Sequence, residues 1–467
     1  MPYTPLKIHS QPAAEEPAFF ADLVFSSPQN LLKEAGDVAL VNENARSLRV
    51  QIGLGEIEKV TPESLRRSGG ALGRFLRKHD VRQAGLDLLA LHTLTLDAAQ
   101  AEQAFLEGVL LGAYRFEARK SKPKHYHGSL YLSGLRAPEA LQRAAILAEA
   151  VNLAREWGHE PPNLLTPATL AQRCQTLADE IGLECTIFDE ADLEEMGAGG
   201  LVNVGKGSQN PPRLIVLEYA GDDPQAAPVA LVGKAITFDT GGYSLKDKTG
   251  ILGMKYDKCG AMAVIGALYA AAKLQLPVRI VALIAAAENM VSDNAYRPDD
   301  IITMLSGKTV EIVSADAEGR LVMADAMTYA QRHWQPQALI DVATLTGGVL
   351  VALGRVRAGL MSNHPGLSQA LRAAGEVTFE RLWELPLDEE FSESLKSEDA
   401  DLKNSGGRDG HASIAGWFLQ NFVENNTPWA HLDIAGMGDT PKTLPYCEKG
   451  ATGFGVRLLT EYLEKLT

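Results

Sequence analysis

The chain has 467 residues, of which 46% are hydrophobic and 22% are charged, and its formal net charge is −15. This length indicates two or three domains, and the acidic balance argues against nucleic acid or an anionic membrane as a main partner. The sequence shows no apolar stretch long enough to cross a bilayer, no signal-peptide pattern in its first 20 residues and no paired cysteine spacing. We therefore expect a reduced, cytoplasmic protein.

The first third of the sequence predicts a small α/β domain. Its predicted strands lie at 37–41, 48–52 and 86–91, and its predicted helices at 62–78, 97–114 and 138–157. Thr61 can cap the first helix, and the Glu-Pro-Pro-Asn stretch at 160–163 ends the last one. We expect an N-terminal domain with its connecting helix at 1–160. The basic segment 119–127 fits a solvated loop, with a contact to an anion or a partner as the alternative.

Strands and helices alternate from residue 161 onward, which predicts a sheet flanked by helices. Predicted strands lie at 213–219, 229–237, 279–286 and 338–342, and predicted helices begin after the cap Thr166 and cover 260–273 and 320–333. We expect a larger domain at 161–467 with a mostly parallel central sheet. Ligands in such folds bind beyond the carboxyl ends of the strands.

Charged side chains cluster after the second of these strands. Lys234 and Asp239 lie near its end, and the glycine pair at 241–242 permits a tight reversal that returns Lys246 to the same region. Asp257 precedes a helix, so its carboxylate can face a helix N-terminus. The Gly-Lys pair at 233–234 lacks the rest of a phosphate-binding loop.

A second cluster lies at 314–321. Asp316 and Glu318 are two residues apart, so an extended segment directs both carboxylates to one side. Arg320 follows two residues later and would point to the same side. A lone Asp-x-Glu is common in surface loops and is too short for an EF-hand. Only the joint pattern of both clusters therefore indicates a site.

These motifs resemble the leucyl aminopeptidase family of two-metal metallopeptidases, also termed cytosol aminopeptidases. SADAEGRL at 314–321 resembles the family signature NTDAEGRL, with Ser and Ala in place of Asn and Thr. Further matching segments are ITFDTGGYSLK at 236–246, MKYD at 254–257, NAYRPDDIITMLSGKTVE at 294–311, DVATLTGG at 341–348 and HLDIAG at 431–436. The resemblance covers the chain from Glu160 onward and, more loosely, the N-terminal domain.

The resemblance implies a role for each matching residue. The implied ligands of two divalent metal ions, Zn²⁺, Mn²⁺ or Mg²⁺, are Lys234, Asp239, Asp257, Asp316 and Glu318. Lys246 would polarise the scissile carbonyl, and Arg320 would hold a bicarbonate that acts as general base. The residues implied to contact the first substrate residue are Met254, Thr344, Leu345, Gly347 and Ala435. Four carboxylates balance two divalent ions, and Lys234 can be a ligand only when it is neutral.

The implied function is metal-dependent hydrolysis of the first peptide bond of peptides with a free N-terminus, with a leucine-like preference and a homohexameric assembly. Gly438 stands where the family often has a larger residue, which argues against a strict leucine preference. Two alternatives are a narrow dipeptidase, for Cys-Gly for example, and a non-enzymatic scaffold or DNA-binding protein. His125, His127, His431 and Cys259 fit structural roles better than metal binding or nucleophilic catalysis.

Overall fold

The computed structural model describes residues 5–11, 17–26, 32–44 and 47–466. Contacts divide the chain into a first unit, Met1–Leu153 with Thr440–Gly450, and a second unit, Ala154–Asp439 with Ala451–Thr467. None of the helices in the described part of the chain has the length and apolar character of a membrane span. The N-terminal segment in which we expect no signal peptide lies partly outside the described residues.

The first unit is built on a six-stranded sheet with the order β1-β6-β5-β2-β4-β3, which is parallel except for β3 against β4. Its elements are β1 (Leu6–His9), β2 (Phe19–Val24), β3 (Val38–Asn44), β4 (Ser47–Gly53), α1 (Pro62–Lys78), β5 (Gln83–Asp87), α2 (Ala98–Ala113), β6 (Gly128–Ser133) and the first part of α3 (Pro138–His159).

Helix α1 has the predicted bounds, and it begins at Pro62 because Thr61 and Ser64 form a reciprocal capping box there. The predicted strand at 86–91 is wrong in its bounds, because β5 ends at Asp87. The Asp87 carboxylate accepts the backbone N–H of Leu89 at 2.9 Å, and the chain continues as a 3₁₀ helix at Leu89–Thr93.

Helices α1 and α2 pack backbone against backbone and run in the same direction. A Cβ atom added at Gly69, Gly73, Gly108 or Gly112 would lie 2.0 to 2.3 Å from a carbonyl oxygen of the facing helix. Only glycine permits this approach. The carboxyl ends of both helices therefore lie at the same end of the pair.

The second unit is built on an eight-stranded sheet with the order β15-β14-β17-β13-β9-β10-β8-β7. Its helices are the end of α3, α4 (Pro167–Ile181), α5 (Glu190–Met196), α6 (Gly199–Gly205), α7 (Cys259–Leu274), α8 (Gly319–Trp334), α9 (Gly347–Leu353), α10 (Pro365–Thr378), α11 (His411–Gln420) and α12 (Val456–Glu464). The sheet strands are β7 (Glu184–Phe188), β8 (Arg213–Tyr219), β9 (Val229–Asp239), β10 (Ile280–Asn289), β13 (Ala338–Ala343), β14 (Ala358–Ser362), β15 (Leu382–Glu384) and β17 (Trp429–Asp433).

Short strands complete the described structure: β11 (Ile301–Thr303), β12 (Thr309–Glu311), β16 (Leu402–Lys403), β18 (Asp439–Thr440) and β19 (Gly450–Ala451). In the large sheet, β17, β13, β9 and β10 form a parallel centre, while β7, β8 and β14 are antiparallel to a neighbour. Every residue of β10 and nearly every residue of β9 is buried. The prediction of two α/β domains, the smaller one N-terminal, with a mostly parallel central sheet is confirmed. A boundary at residue 160 stays a prediction.

Candidate active site

The central strand β9 carries Lys234 and Asp239, five residues apart. A regular strand would direct these two side chains to opposite faces. The register between β9 and β10 shifts between the pairs Ile236–Ala287 and Asp239–Asn289, which leaves one extra residue in β9. Such a bulge reverses the alternation of side chains. Lys234 and Asp239 therefore both reach the same cluster of carboxylates at the end of the strand.

Lys234 lies at the buried end of this cluster. Its Nζ is 2.9 Å from Asp257 Oδ1 and 2.9 Å from Glu318 Oε1, and it donates to the Thr344 carbonyl oxygen at 3.1 Å. Burial lowers the pKa of Lys234, but the neighbouring carboxylates raise it more, so its net pKa lies above the ordinary value. A Cβ on Gly319 would lie 2.5 Å from Lys234 Cε, so only glycine leaves room for this lysine.

Lys246 returns to the cluster through the predicted reversal. Gly241 and Gly242 have φ values of +85° and +58°, and the Lys246 N–H donates to the Thr240 carbonyl at 2.9 Å. Lys246 Nζ lies 2.8 Å from Asp239 Oδ2 and also contacts Asp316. Burial lowers the pKa of Lys246, but the surrounding carboxylates raise it above its usual range.

Asp316 and Glu318 converge through a turn, so the prediction of an extended segment is wrong. The Ala317 N–H donates to the Ser314 carbonyl at 3.2 Å, and Glu318 has the helical angles φ −75° and ψ −38° at the start of α8. One oxygen each from Asp239, Asp316 and Glu318 lie within 4.8 Å of one another. The turn thus achieves the convergence that spacing alone suggested.

Two polar side chains that sequence reasoning missed hold these carboxylates in place. Asn289 Nδ2 donates to Asp239 Oδ1 at 2.8 Å and to the Ala315 carbonyl at 2.9 Å. The Tyr296 hydroxyl donates to the same carbonyl at 2.6 Å. Asn289 therefore links the bulged end of β9 to the turn that carries Asp316. No motif spacing in the sequence signals this link.

Arg320 is fully buried on α8 and is fixed from the far side by Asn404. Its Nη1 donates to the Asn404 carbonyl at 2.7 Å, and its guanidinium lies 5.9 Å from the Phe418 ring centroid. The Asn404 side chain accepts the N–H groups of Val313 and Ser314 and donates to the Ser314 carbonyl. Burial lowers the pKa of Arg320 to about 10. Its Nε is buried and has no hydrogen-bond partner among the described residues.

The residues implied to bind substrate fall into separate groups. Thr344 Oγ1 donates to Asp257 Oδ1 at 2.8 Å, so Thr344 lies beside the cluster. The Asp433 carboxylate accepts the backbone N–H groups of Leu345 and Ala435, each at 3.1 Å, and the Thr346 hydroxyl at 2.6 Å. Asp433, which the sequence did not single out, therefore holds two loops together.

Met254 and Gly347 complete the predicted set. Met254 begins a 3₁₀ helix, Met254–Tyr256, and its carbonyl accepts the Asp257 N–H at 3.3 Å, so it lies next to the cluster along the chain. Gly347 begins α9, and a Cβ there would meet no described atom within 4 Å. The chain thus leaves open space beside Gly347.

The donor set fits a divalent cation. Four carboxylates meet two lysines, and burial followed by the Asp239 charge raises the pKa of both Asp316 and Glu318. Asp257 Oδ2 and Glu318 Oε2 are buried and have no hydrogen-bond partner among the described residues. Buried carboxylate oxygens of this kind require a compensating charge, and oxygen-rich sites suit Mg²⁺, Mn²⁺ or Zn²⁺.

The surroundings of one cysteine and three histidines bear on the structural roles predicted for them. Burial raises the pKa of the Cys259 thiol to about 12, so it is a poor nucleophile. His431 lies in the middle of β17 rather than at its end, is fully buried and pairs with Asp341. Among the described residues, neither His125 nor His127 belongs to a group of potential metal ligands.

Comparison with known proteins identifies the family. Residues 152–460 match the catalytic domain of the cytosol aminopeptidase family, and residues 38–123 match its N-terminal domain. The chain belongs to the cytosol aminopeptidase family. This membership confirms the resemblance seen in the motifs, and the protein is a metal-dependent aminopeptidase, a hydrolase of N-terminal peptide bonds.

Individual relatives match over most of their length. A probable cytosol aminopeptidase of Syntrophotalea carbinolica is 45% identical and covers 89% of this chain and 85% of its own length. One of Aquifex aeolicus is 41% identical and covers 89% and 84%. The solved structure of the bottromycin maturation enzyme BotP in complex with Mn superposes with a TM-score of 0.91 at 34% identity, covering 96% of this chain and 99% of that one. None of these matches favours a narrow dipeptidase or a scaffold.

Proposed function

We propose that this cytosol aminopeptidase carries out its reaction at the cluster around Asp239, with the five residues predicted from the sequence as ligands of two divalent ions: Lys234, Asp239, Asp257, Asp316 and Glu318. The observation that carries the proposal is the convergence of oxygens from Asp239, Asp316 and Glu318 within 4.8 Å. A bound metal pair supplies a water of lowered pKa and polarises the substrate carbonyl. Lys234 joins the ligand set by releasing its proton, which links metal binding to pH.

Lys246 is the group that stabilises the developing oxyanion in this proposal. Its Nζ lies between Asp239 and Asp316, at the mouth of the carboxylate cluster, and its side chain is 18% exposed. A cation held in a partly dry site stabilises negative charge on a carbonyl oxygen far better than water does. The carboxylates around Lys246 raise its pKa and favour its protonated form.

Arg320 serves as the anchor for a bicarbonate that acts as general base. The buried Nε has no hydrogen-bond partner among the described residues, and the guanidinium is held rigidly by the Asn404 carbonyl. A buried, fixed guanidinium with a spare donor matches a small planar anion. A bicarbonate held by Arg320 would supply general-base chemistry for the proton that moves from the attacking water to the leaving amine.

The first substrate residue lies against Met254, Thr344, Leu345, Gly347 and Ala435. Thr344 contacts the metal-ligand cluster directly, and the space beside Gly347 is open. A Cβ on Gly438 would lie 3.0 Å from Thr344 Cγ2 and 3.1 Å from Cys259 Cβ. Because Gly438 has no side chain, Thr344 and Cys259 can lie close to its backbone. We infer a leucine-like preference for the first substrate residue that extends to other apolar residues.

Further properties belong to the same proposal. Manganese is supported by the BotP complex with Mn, and zinc by the mixed oxygen and amine donors. The family resemblance supports a homohexamer. The unpaired cysteine spacing supports a cytoplasmic location, and the Glu-Pro-Pro-Asn stretch at 160–163 supports a division into domains at 1–160 and 161–467. Light scattering of the purified protein would measure the mass of the assembly.

The test of this proposal combines metal counting with a requirement for a free amine. The wild-type chain is expected to bind two metal ions and to hydrolyse leucine p-nitroanilide but not its N-acetyl form. Glu318→Gln is expected to lose metal and activity together, whereas the exposed Glu195→Gln on α5 retains both. Hydrolysis of the acetylated substrate, or full activity of Glu318→Gln, would overturn the assignment.

A further inference from the structure

A cavity of about 970 Å³ lies in the first unit, at the carboxyl ends of α1 and α2. Its volume is within the usual range for small-molecule sites, roughly 300–1,000 Å³. The cationic residues that line it are Arg74, Arg77, Lys78, Arg82, Arg115 and Lys124. Lys124 belongs to the basic segment 119–127, for which the sequence left an anion contact open. This cavity has no part in the proposed peptidase site, because every lining residue belongs to the first unit.

The cavity carries an excess of positive charge in an acidic protein. Its six Lys and Arg residues face three carboxylates, from Asp80, Glu117 and Glu448, an excess of three positive charges, whereas the whole chain carries −15. The carboxylates pair with Arg82, Arg115 and Arg77 respectively. The other three cations of the lining are therefore not paired with any of these three carboxylates.

The uncompensated cations are Arg74, Lys78 and Lys124. Among the described residues, no carboxylate lies within ion-pair distance of these three, and Arg74 donates instead to the Leu444 carbonyl at 2.8 Å. Burial lowers the pKa of Arg74; Glu448 opposes this effect and Arg77 adds to it. Arg77 therefore repels Arg74 electrostatically, and a bound anion would offset that repulsion.

The dipoles of helices α1 and α2 offset only part of the excess positive charge in the cavity. The parallel packing of α1 and α2 places two carboxyl ends at the cavity, and each end carries roughly half a negative charge. Together they offset about one of the three excess charges. The remainder, about two positive charges, matches a ligand that carries more than one negative charge.

Aromatic rings lie among the cations. The rings of Phe75 and His79 are 4.3 Å apart, and the Arg82 guanidinium lies 6.0 Å from the Tyr126 ring centroid. All four residues line the cavity. Aromatic faces beside cations suit a ligand with a planar ring and several phosphates.

We propose that this cavity binds a small polyphosphate anion, either an inorganic polyphosphate or the phosphate chain of a nucleotide. The positive charges of the cavity would bind a phosphate chain, which inorganic polyphosphate and a nucleotide have in common. The aromatic rings that line the cavity determine whether a base adds to the binding. The cavity is lined by side chains of one unit and has the size of a small-molecule site, which favours a small molecule over a nucleic-acid duplex.

The test is calorimetric titration of the full chain at fixed ionic strength with tripolyphosphate and with ATP. Lys78→Gln and Lys124→Gln are each expected to weaken binding roughly tenfold. The matched control is Lys122→Gln, which removes an exposed charge from the same basic segment but does not line the cavity. Because both anions also chelate metals, the control sets the baseline for that effect. Unchanged thermal unfolding of each variant shows that the fold persists.

The outcomes separate the sources and test the site. Tighter binding of ATP than of tripolyphosphate identifies a nucleotide, and equal binding identifies the phosphate chain alone; both support the proposal. Absence of binding at millimolar concentration overturns it. Equal loss in Lys122→Gln and Lys124→Gln also overturns it, since that result describes a diffuse basic surface. Stronger binding of duplex DNA than of either small anion overturns it in favour of nucleic acid.

Discussion

Asn289 and Asp239 face each other at the register shift between β9 and β10, and the amide Nδ2 donates to the carboxylate at 2.8 Å. This hydrogen bond fixes the orientation of one proposed metal ligand and, through the Ala315 carbonyl, the loop that carries another. Outer groups that orient metal ligands typically change metal affinity or activity by about 10- to 100-fold when removed.

Asn289→Ala is therefore expected to lower kcat/KM by about 10- to 100-fold and to weaken metal binding. Tyr296→Phe is the matched control, because it removes the other hydrogen bond to Ala315 and leaves Asp239 supported. Metal titration followed by kinetics on both variants makes the comparison. An equal loss in the two variants would show that the loop, and not the Asp239 carboxylate, is what Asn289 supports.

Lys246 is expected to act on the transition state rather than on metal binding. Lys246→Ala should lower kcat by about 10² to 10³-fold, as expected for the loss of one oxyanion donor, while the metal content stays the same. Lys248→Ala, which removes an exposed charge two residues away, is expected to leave kcat unchanged. Loss of the metals in Lys246→Ala would contradict this separation of roles.

Asn404 is expected to contribute to stability as well as to the site. Asn404→Ala leaves the N–H groups of Val313 and Ser314 and the Ser314 carbonyl without their side-chain partner. These groups are part-buried, and a hydrogen bond of this kind contributes about 0.5–1.5 kcal/mol. Urea unfolding should show a loss of about that size, with reduced activity because the Arg320 anchor moves. Unchanged unfolding would mean that water replaces the amide.

Gly438 is expected to set the width of the substrate wall. In Gly438→Ala the new methyl group meets Thr344 and Cys259 at 3.0 and 3.1 Å, so Thr344 must shift. We expect kcat/KM to fall more for leucyl than for alanyl substrates, by roughly tenfold in the ratio. The ratio of the two substrates controls for general damage. An unchanged ratio would place the side-chain pocket elsewhere.

The sequence predicted the parts of the fold and site that local signals specify. Helix α1 was predicted because a cap, a proline and an apolar stripe coincide, and Lys246 because a glycine pair forces a reversal. Asn289, Asn404 and Asp433 were missed because each of them acts on partners that lie 26 to 91 residues away. The bulge in β9 was missed because a register shift involves two strands and leaves no mark on either one.

The central claim is that the carboxylate cluster acts through bound metal ions. The most direct measurement is hydrolysis of leucine p-nitroanilide by chelator-stripped protein, before and after titration with Mn²⁺ or Zn²⁺. We expect no activity without metal and a rise that saturates near two equivalents per chain. Full activity in protein that contains no metal would contradict the account.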